Sequence, residues 1–135
     1  MSSDNPELLY FWPAPVGGIA EYTVCQVTAL QNAGIEVQTL CSPQFANNVN
    51  VQNCNPVLWE PPTWSFRRPR QLAFAATILR NMRHLATEIR IKKPKAVLCA
   101  TLPLFLSPFW ANQFRFLKEA GITFATMLHD PTLDY

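Results

Sequence analysis

The chain has 135 residues, the length of one domain with a single hydrophobic core. Hydrophobic residues make up 49% of the chain and charged residues 15%, which excludes an intrinsically disordered protein. The net charge of +2 is too small to indicate a nucleic-acid-binding protein, and no sequence repeat is visible. These properties together predict a single α/β domain.

The N-terminal third of the chain has the pattern of a βαβ unit. Glu7–Trp12 is short, apolar and aromatic, as in a strand that is buried on both faces. After a break at Pro13–Gly18, the residues Ile19–Ala33 have helical spacing, and Gly34 stands where a helix end needs a positive φ. Ile35–Leu40 alternates apolar and polar residues, which predicts a second strand. The crossover in such a unit is nearly always right-handed.

The middle of the chain predicts a loop followed by a long helix. Ser42–Pro62 is rich in Asn, Gln and Pro and is interpreted as a loop with a short strand near Pro56–Glu60. Apolar side chains from Leu72 onward then recur at spacings of three and four. This spacing predicts a helix over Arg70–Ile91, whose apolar face includes Phe74.

The C-terminal part completes a parallel sheet. Ala96–Ala100 is a predicted strand, and Ser107-Pro108 predicts a helix start, with Ser as N-cap and Pro in the first turn, for a helix that ends at Gly121. Ile122–Leu128 is the last strand. The order β-α-β-(β)-α-β-α-β predicts a Rossmann-like three-layer domain, with a mostly parallel sheet between helices. Asp130-Pro131 resembles the opening of a further crossover helix, so we expect an incomplete domain cut from a larger protein.

The sequence predicts a cytoplasmic protein. Its N-terminus lacks the cationic and apolar stretches of a signal peptide, and its longest apolar stretch, Ala96–Ala111, is too short to span a bilayer. The four cysteines are widely spaced and are expected to be reduced thiols, mostly packed in the core. Contact with the inner face of a membrane is compatible with this location.

Positive charge is concentrated in residues 67–95. This segment holds nine of the eleven basic side chains and only one acidic side chain, Glu88, so its net charge is +8 and that of the remainder is −6. Exposed cations on a helix usually form a solvated face, which is the simplest interpretation. The side that carries Arg80, Arg83 and Arg90 also suits an anionic membrane surface. Nucleic acid is not a predicted partner, because no recognised module accompanies the charge.

Three loops are expected to meet at the carboxyl edge of the sheet, where open α/β sheets bind their ligands. Gly17-Gly18 follows the first strand, Thr101-Leu102 follows the fourth, and His129-Asp130 follows the last. Amide groups at Gly17-Gly18 suit a phosphate, and the alternative is a turn that needs glycine for its geometry. His129 suits an anion, a hydroxyl or proton transfer, unless it is a structural histidine bonded to backbone. Asp130, beside His129, suits either a sugar hydroxyl or the N-cap of the next helix.

Neither a metal site nor a serine nucleophile is indicated. His84 and His129 are 45 residues apart and in no ligand pattern with a cysteine, so no metal site is predicted. The chain also lacks the G-x-S-x-G motif of a nucleophile elbow.

Several motifs together resemble one enzyme family. They are the segment Pro15-Val16-Gly17-Gly18-Ile19-Ala20-Glu21-Tyr22, followed by Ala29-Leu30, Gly34-Ile35-Glu36-Val37 and Leu128-His129-Asp130-Pro131. This pattern is similar to the N-terminal domain of GT-B glycosyltransferases, and specifically to the retaining enzymes of glycosyltransferase family 4. The resemblance covers essentially the whole chain and is strongest at its two ends.

The resemblance implies transfer of a sugar from a nucleotide-sugar donor to an acceptor hydroxyl, with retention at the anomeric carbon and without a metal or other cofactor. In this family the N-terminal domain mainly binds the acceptor. The Gly17-Gly18 loop would approach the donor diphosphate, and His129 would be the catalytic residue near the reacting centre. Further candidates for contacts to the acceptor or its sugar are Asp130, Thr101 and Glu21.

The resemblance also implies partners. Several members act on lipid-linked acceptors and dock on membranes through a basic helix, which the face with Arg80, Arg83 and Arg90 would suit. The family's second domain carries most nucleotide contacts and two glutamates eight positions apart, and residues 1–135 contain neither. We therefore expect this chain alone to be inactive. The alternative is a non-catalytic α/β module that binds a partner chain or an anionic membrane surface.

Overall fold

The computed structural model describes residues 5–14 and 18–127. The strands in this part of the chain form one all-parallel sheet, in the order β3-β2-β1-β4-β5. Their bounds are Leu8–Phe11 for β1, Val37–Leu40 for β2, Cys54–Asn55 for β3, Ala96–Cys99 for β4 and Thr123–Thr126 for β5. The central strand, β1, pairs in parallel register with β2 on one side and β4 on the other.

The helices follow the strands in alternation. Their bounds are Gly18–Asn32 for α1, Pro43–Asn48 for α2, Arg67–Lys92 for α3, Ser107–Trp110 for α4 and Phe116–Ala120 for α5, with 3-10 turns at Leu104–Leu106 and Ala111–Phe114. The predicted Rossmann-like α/β class is therefore confirmed. Gly34 and Gly121 adopt φ values of +85° and +69° after the helices that they end, a conformation that an L residue with a Cβ rarely adopts.

Each face of the sheet has its own hydrophobic layer, because side chains alternate along a strand. Leu9 and Phe11 of β1 pack with α3, α4 and α5 on one face. Tyr10 and Trp12 pack with α1 and α2 on the other face. All four side chains are at most 3% exposed. Burying one apolar side chain of this size contributes about 1.5–3 kcal/mol, so these four side chains make a large contribution to stability.

The predicted loop at Ser42–Pro62 was wrong in part, because it contains α2. The Ser42 hydroxyl accepts a hydrogen bond from the Phe45 amide, and Pro43 occupies the first turn. Ser-Pro is a helix-start signal here as well. The short strand is β3, which lies just before the predicted Pro56–Glu60. Pro56 has no amide hydrogen to continue the ladder, so the strand ends before it.

The predicted helix start at Ser107-Pro108 was wrong in its detail. Residues Leu104–Leu106 already form a 3-10 turn, so Ser107 has helical backbone angles and its side chain does not cap a helix. The segment before Gly121 is a series of short helical pieces and not one continuous helix. The Trp110 indole donates a hydrogen bond to the Pro103 carbonyl at 3.0 Å and holds this series against the loop that follows β4.

The apolar face predicted for α3 is buried only in its C-terminal half. The buried α3 side chains begin at Asn81 and Met82 and continue to Ile89. In the N-terminal half, Leu72 is 75% exposed and Phe74 is 46% exposed. Within the described residues, the hydrophobic cluster on this face of the sheet therefore packs mainly against the C-terminal half of the helix.

No described helix can span a membrane. α3 is the longest, with 26 residues. It carries arginines from Arg67 to Arg70 at its start and further charged side chains from Arg80 to Lys92. Among the described residues, no helix combines the length and the apolar character that crossing a bilayer requires.

The cysteines differ in burial, and this difference predicts an order of alkylation. Cys41 and Cys99 are buried, as expected, whereas Cys25 is exposed on α1. Burial raises the pKa of the Cys99 thiol, while a hydrogen bond with Cys41 lowers the pKa of the half-buried Cys54. With iodoacetamide in the native state, mass spectrometry should detect modification first at Cys25, then at Cys54, and at Cys99 only after unfolding.

The variant Cys25→Ser is the control for this order. It should lose the fastest phase of alkylation and keep the others unchanged. Rapid native-state modification of Cys99 would contradict the buried position of β4 in the sheet.

Candidate functional site

The strand order places a crevice between β1 and β4. The chain leaves β1 toward β2 on one side of the sheet, whereas the strands on the other side are β4 and β5. In open α/β sheets, ligands bind where the strand order reverses in this way, outside the carboxyl ends of the strands. The pairing of the two strands extends to the start of the crevice, because the Ala100 amide donates to the Phe11 carbonyl at 3.0 Å.

A cavity of about 410 Å³ lies at this position. Its size falls in the range of small-molecule pockets, and its lining is predominantly apolar. It is bounded by the loops that follow β1 and β4 and by the exposed half of α3. Representative lining residues are Phe11 and Ala14 after β1, Thr101 and Leu102 after β4, and Phe74 and Ile78 on α3.

Asn81 of α3 builds one wall of the cavity. Its side-chain amide donates to the Trp59 carbonyl at 2.9 Å, and its side-chain oxygen accepts from the Trp59 amide at 2.8 Å. Asn81 is 3% exposed, so this pair of bonds is shielded from water. It holds the segment around Trp59 against α3, and Leu58 beside it is buried in the core. The Trp59 backbone is therefore fixed at the rim of the cavity.

The Trp59 ring is held by a cation. The Arg80 guanidinium carbon lies 3.5 Å from the ring centroid, a cation–π contact. Trp59 is 52% exposed, so part of this residue remains in contact with solvent at the cavity rim. Trp59 thus presents an aromatic surface at the rim, with its backbone held by Asn81 and its ring held by Arg80.

Thr101 is the predicted site residue that the structure places in the cavity wall. Two other polar side chains of the wall bond to the protein itself: Asn81 as described above, and Thr77, whose hydroxyl donates to the Ala73 carbonyl at 2.8 Å. Within the described residues, Thr101 makes no such bond and its side chain is exposed. Its hydroxyl is therefore available to a ligand at the carboxyl end of β4.

The other predicted residues of this edge have different outcomes. Gly18 is the first residue of α1, the helix that follows β1, as predicted. Glu21 is exposed in the first turn of α1 and is not among the side chains that line the cavity. Gly17, His129 and Asp130 lie outside the described residues, so the proposed diphosphate loop and the histidine remain predictions.

The predicted basic face of α3 is partly used within the protein. Arg80 contacts Trp59 as described, and Arg90 lies 4.4 Å from the Phe116 ring centroid and donates to the Gln113 carbonyl at 3.2 Å. Arg83 is exposed and lines a different cavity beside α4. Two of the three arginines therefore stabilise the packing of α3 against neighbouring segments.

The sequence interpretation missed the aromatic part of the site. Trp59, Phe74 and Phe105 line the cavity although each is substantially exposed. One signal in the sequence could have indicated this part of the site. Aromatic side chains occur in segments rich in proline and arginine, whereas a segment that only faces solvent would be polar. Within residues 5–14 and 18–127, no three His, Cys, Asp or Glu side chains form a group that could hold a metal ion.

The bonds between Asn81 and Trp59 predict a measurable loss of stability. Asn81→Ala leaves the amide and carbonyl of Trp59 without their partners, so the free energy of unfolding should fall by about 2 kcal/mol. Urea denaturation measures this change. Asn50→Ala, which removes the same side chain from an exposed loop, should leave the denaturation midpoint unchanged. Equal midpoints for the two variants would contradict a structural role for Asn81.

Comparison with protein-family models, with curated protein sequences and with solved structures found no match to this chain. The family resemblance consequently depends on the motifs in the sequence. The fold depends on the parallel sheet described above.

Proposed function

We propose that this chain is the acceptor-binding N-terminal domain of a GT-B retaining glycosyltransferase of family 4. The observation that supports this proposal most is the apolar cavity at the reversal of strand order between β1 and β4. It lies where an open α/β sheet binds small molecules, and its wall includes Pro13 and Ala14 of the loop after β1. The cavity takes the acceptor, and the nucleotide-sugar approaches from a second domain.

The residues have distinct roles in this proposal. The amides of Gly17 and Gly18 stabilise the negative charge that develops on the donor diphosphate as the sugar departs. His129 positions the donor sugar and the acceptor at the reacting centre, and Thr101 binds the acceptor in the cavity wall. Asp130 and Glu21 are further candidates for contacts to acceptor hydroxyls. The reaction is of the hexosyltransferase type and needs no metal or other cofactor.

The chain alone is inactive in this proposal, because most contacts to the nucleotide belong to the C-terminal donor-binding domain of the family. Transfer therefore requires that domain, in the same polypeptide or in a partner chain. The proposed location is the cytoplasm, with peripheral contact to the inner face of a membrane.

The alternative is a non-catalytic module that pairs with a partner chain. One observation favours it: β5 lies at an edge of the sheet in the described part of the chain, and three of its four side chains are exposed. An open strand edge of this kind is a surface on which another strand can pair. Both proposals require additional polypeptide, but only the first predicts sugar transfer.

The test of the first proposal is a transferase assay on the natural polypeptide that contains these residues, with a panel of nucleotide-sugars and acceptors. Thr101→Trp, which narrows the acceptor cavity, should reduce kcat/KM for the acceptor by at least about tenfold and leave the donor KM unchanged. His129→Ala should lower kcat on the order of a hundredfold. Thr28→Trp, on the exposed side of α1, is the matched control and should keep normal kinetics.

The outcomes separate the alternatives. Near-normal turnover by His129→Ala would remove this residue from the mechanism. If no donor is consumed although the natural polypeptide includes a second domain, the glycosyltransferase proposal is wrong. Co-purification of this domain with a stable partner chain would then support the binding module.

A further inference from the structure

The cavity between β1 and β4 continues outward along α3. A second cavity of about 630 Å³ adjoins it, and the two share Pro61, Phe74 and Phe105 as lining residues. The outer cavity adds Arg70 to the wall. The inner and outer cavities therefore form one groove, which leads from Thr101 at the end of β4 to Arg70 near the start of α3. We refer to it as the α3 groove.

The wall between the two ends of the α3 groove is apolar and aromatic. Phe74 is 46% exposed and Phe105 is 68% exposed, and both line the inner and the outer cavity. Single exposed apolar side chains are common on protein surfaces, but several that line one concave surface are typical of a binding groove. A ligand that fits this part of the groove has an apolar body.

The outer end of the α3 groove is positive. Arg70 is exposed, and so are Arg67 and Arg68 in the same helical turn, which contains no acidic residue. Within the described residues, no carboxylate lines either cavity. The neighbouring Glu60 accepts a hydrogen bond from the Gln44 amide at 2.7 Å and is thereby directed toward α2. Arg70 consequently has no described acidic partner, and it complements an anionic group on a ligand.

We propose that the α3 groove binds an elongated, acidic amphiphile, whose acid group pairs with Arg70 and whose apolar body lies along Phe74 and Phe105. The inference that this molecule is the sugar acceptor rests on the proposed function. In that case its acceptor hydroxyl is at the opposite end from the acid group, beside Thr101. The substrate class is then an apolar hydroxy acid, and not a free sugar.

The binding test uses the 135-residue chain and isothermal titration with octanoate, decanoate and dodecanoate, each below its critical micelle concentration. Affinity should rise roughly fourfold for each methylene that enters the groove, as expected from the free energy of burying one methylene. Decanol, which lacks the acid group, should bind more weakly than decanoate. Affinity that is independent of chain length, or equal for decanol and decanoate, would overturn the proposal.

Two pairs of variants locate the binding site. Phe74→Ala and Arg70→Glu should each weaken dodecanoate binding roughly fivefold or more. Phe109→Ala and Arg115→Glu make the same changes at exposed residues that line neither cavity of the groove and should bind as the unaltered chain does. Circular dichroism of each of the four variants tests whether it is folded. Equal weakening by both pairs, or by neither, would overturn the assignment to the α3 groove.

Two further experiments separate this proposal from membrane-surface binding and from the glycosyltransferase proposal. Binding to anionic phospholipid vesicles without binding to monomeric alkanoates would overturn it in favour of a membrane surface. In the transferase assay, ω-hydroxydodecanoate is the acceptor probe. If the alkanoates bind but no sugar is transferred to any acceptor, the groove is supported and the glycosyltransferase proposal fails. If sugar is transferred only to acceptors without an apolar body, and the groove variants retain full activity, the groove proposal fails and the transferase proposal stands.

Discussion

The structure depends on the position of β1 in the middle of the sheet. Both edges of this strand are hydrogen-bonded, to β2 and to β4, and both of its faces are covered by helices. A strand in this environment has no side on which a polar side chain meets water, which explains the run Leu8–Trp12. Pro13 and Ala14 then leave the sheet and enter the wall of the crevice. This buried segment thus ends directly at the candidate site.

Much of the fold was predictable because its signals are local. Helical spacing, an apolar run, or a glycine at a helix end requires only neighbouring residues, and Gly34 is an example. Short pieces were predicted less well. α2 and the short helical pieces around Ser107 both contain a Ser-Pro pair. At Ser42 the serine side chain caps a helix, whereas at Ser107 it does not, and the pair alone does not distinguish these two outcomes. The last strand and the first helix were predicted well because the residues that flank them in the sequence interrupt the strand and helix patterns and so mark their ends.

The candidate site likewise has a part that the sequence predicted and a part that it did not. Thr101 was predictable because the rule for parallel sheets converts a position at the end of a strand into a position in space. The aromatic wall was not predictable, because Trp59 and Phe74 belong to separate segments that are joined by the bonds of Asn81 to the Trp59 backbone and by the contact of Arg80 with the Trp59 ring. The burial of α3 was misjudged for a related reason. A helical pattern shows which side chains share a face, but it does not show how far the sheet extends beneath that face.

The bonds between Asn81 and Trp59 have a consequence for how this domain can change during evolution. Asn81 bonds only to the main chain of residue 59, so any amino acid except proline, which has no amide hydrogen to donate, can make the same two bonds. The ring projects from a backbone whose place is already set. A substitution at residue 59 can therefore reshape the crevice while these two bonds are preserved, so the shape of the crevice wall and the anchoring of its backbone are separate properties of the fold.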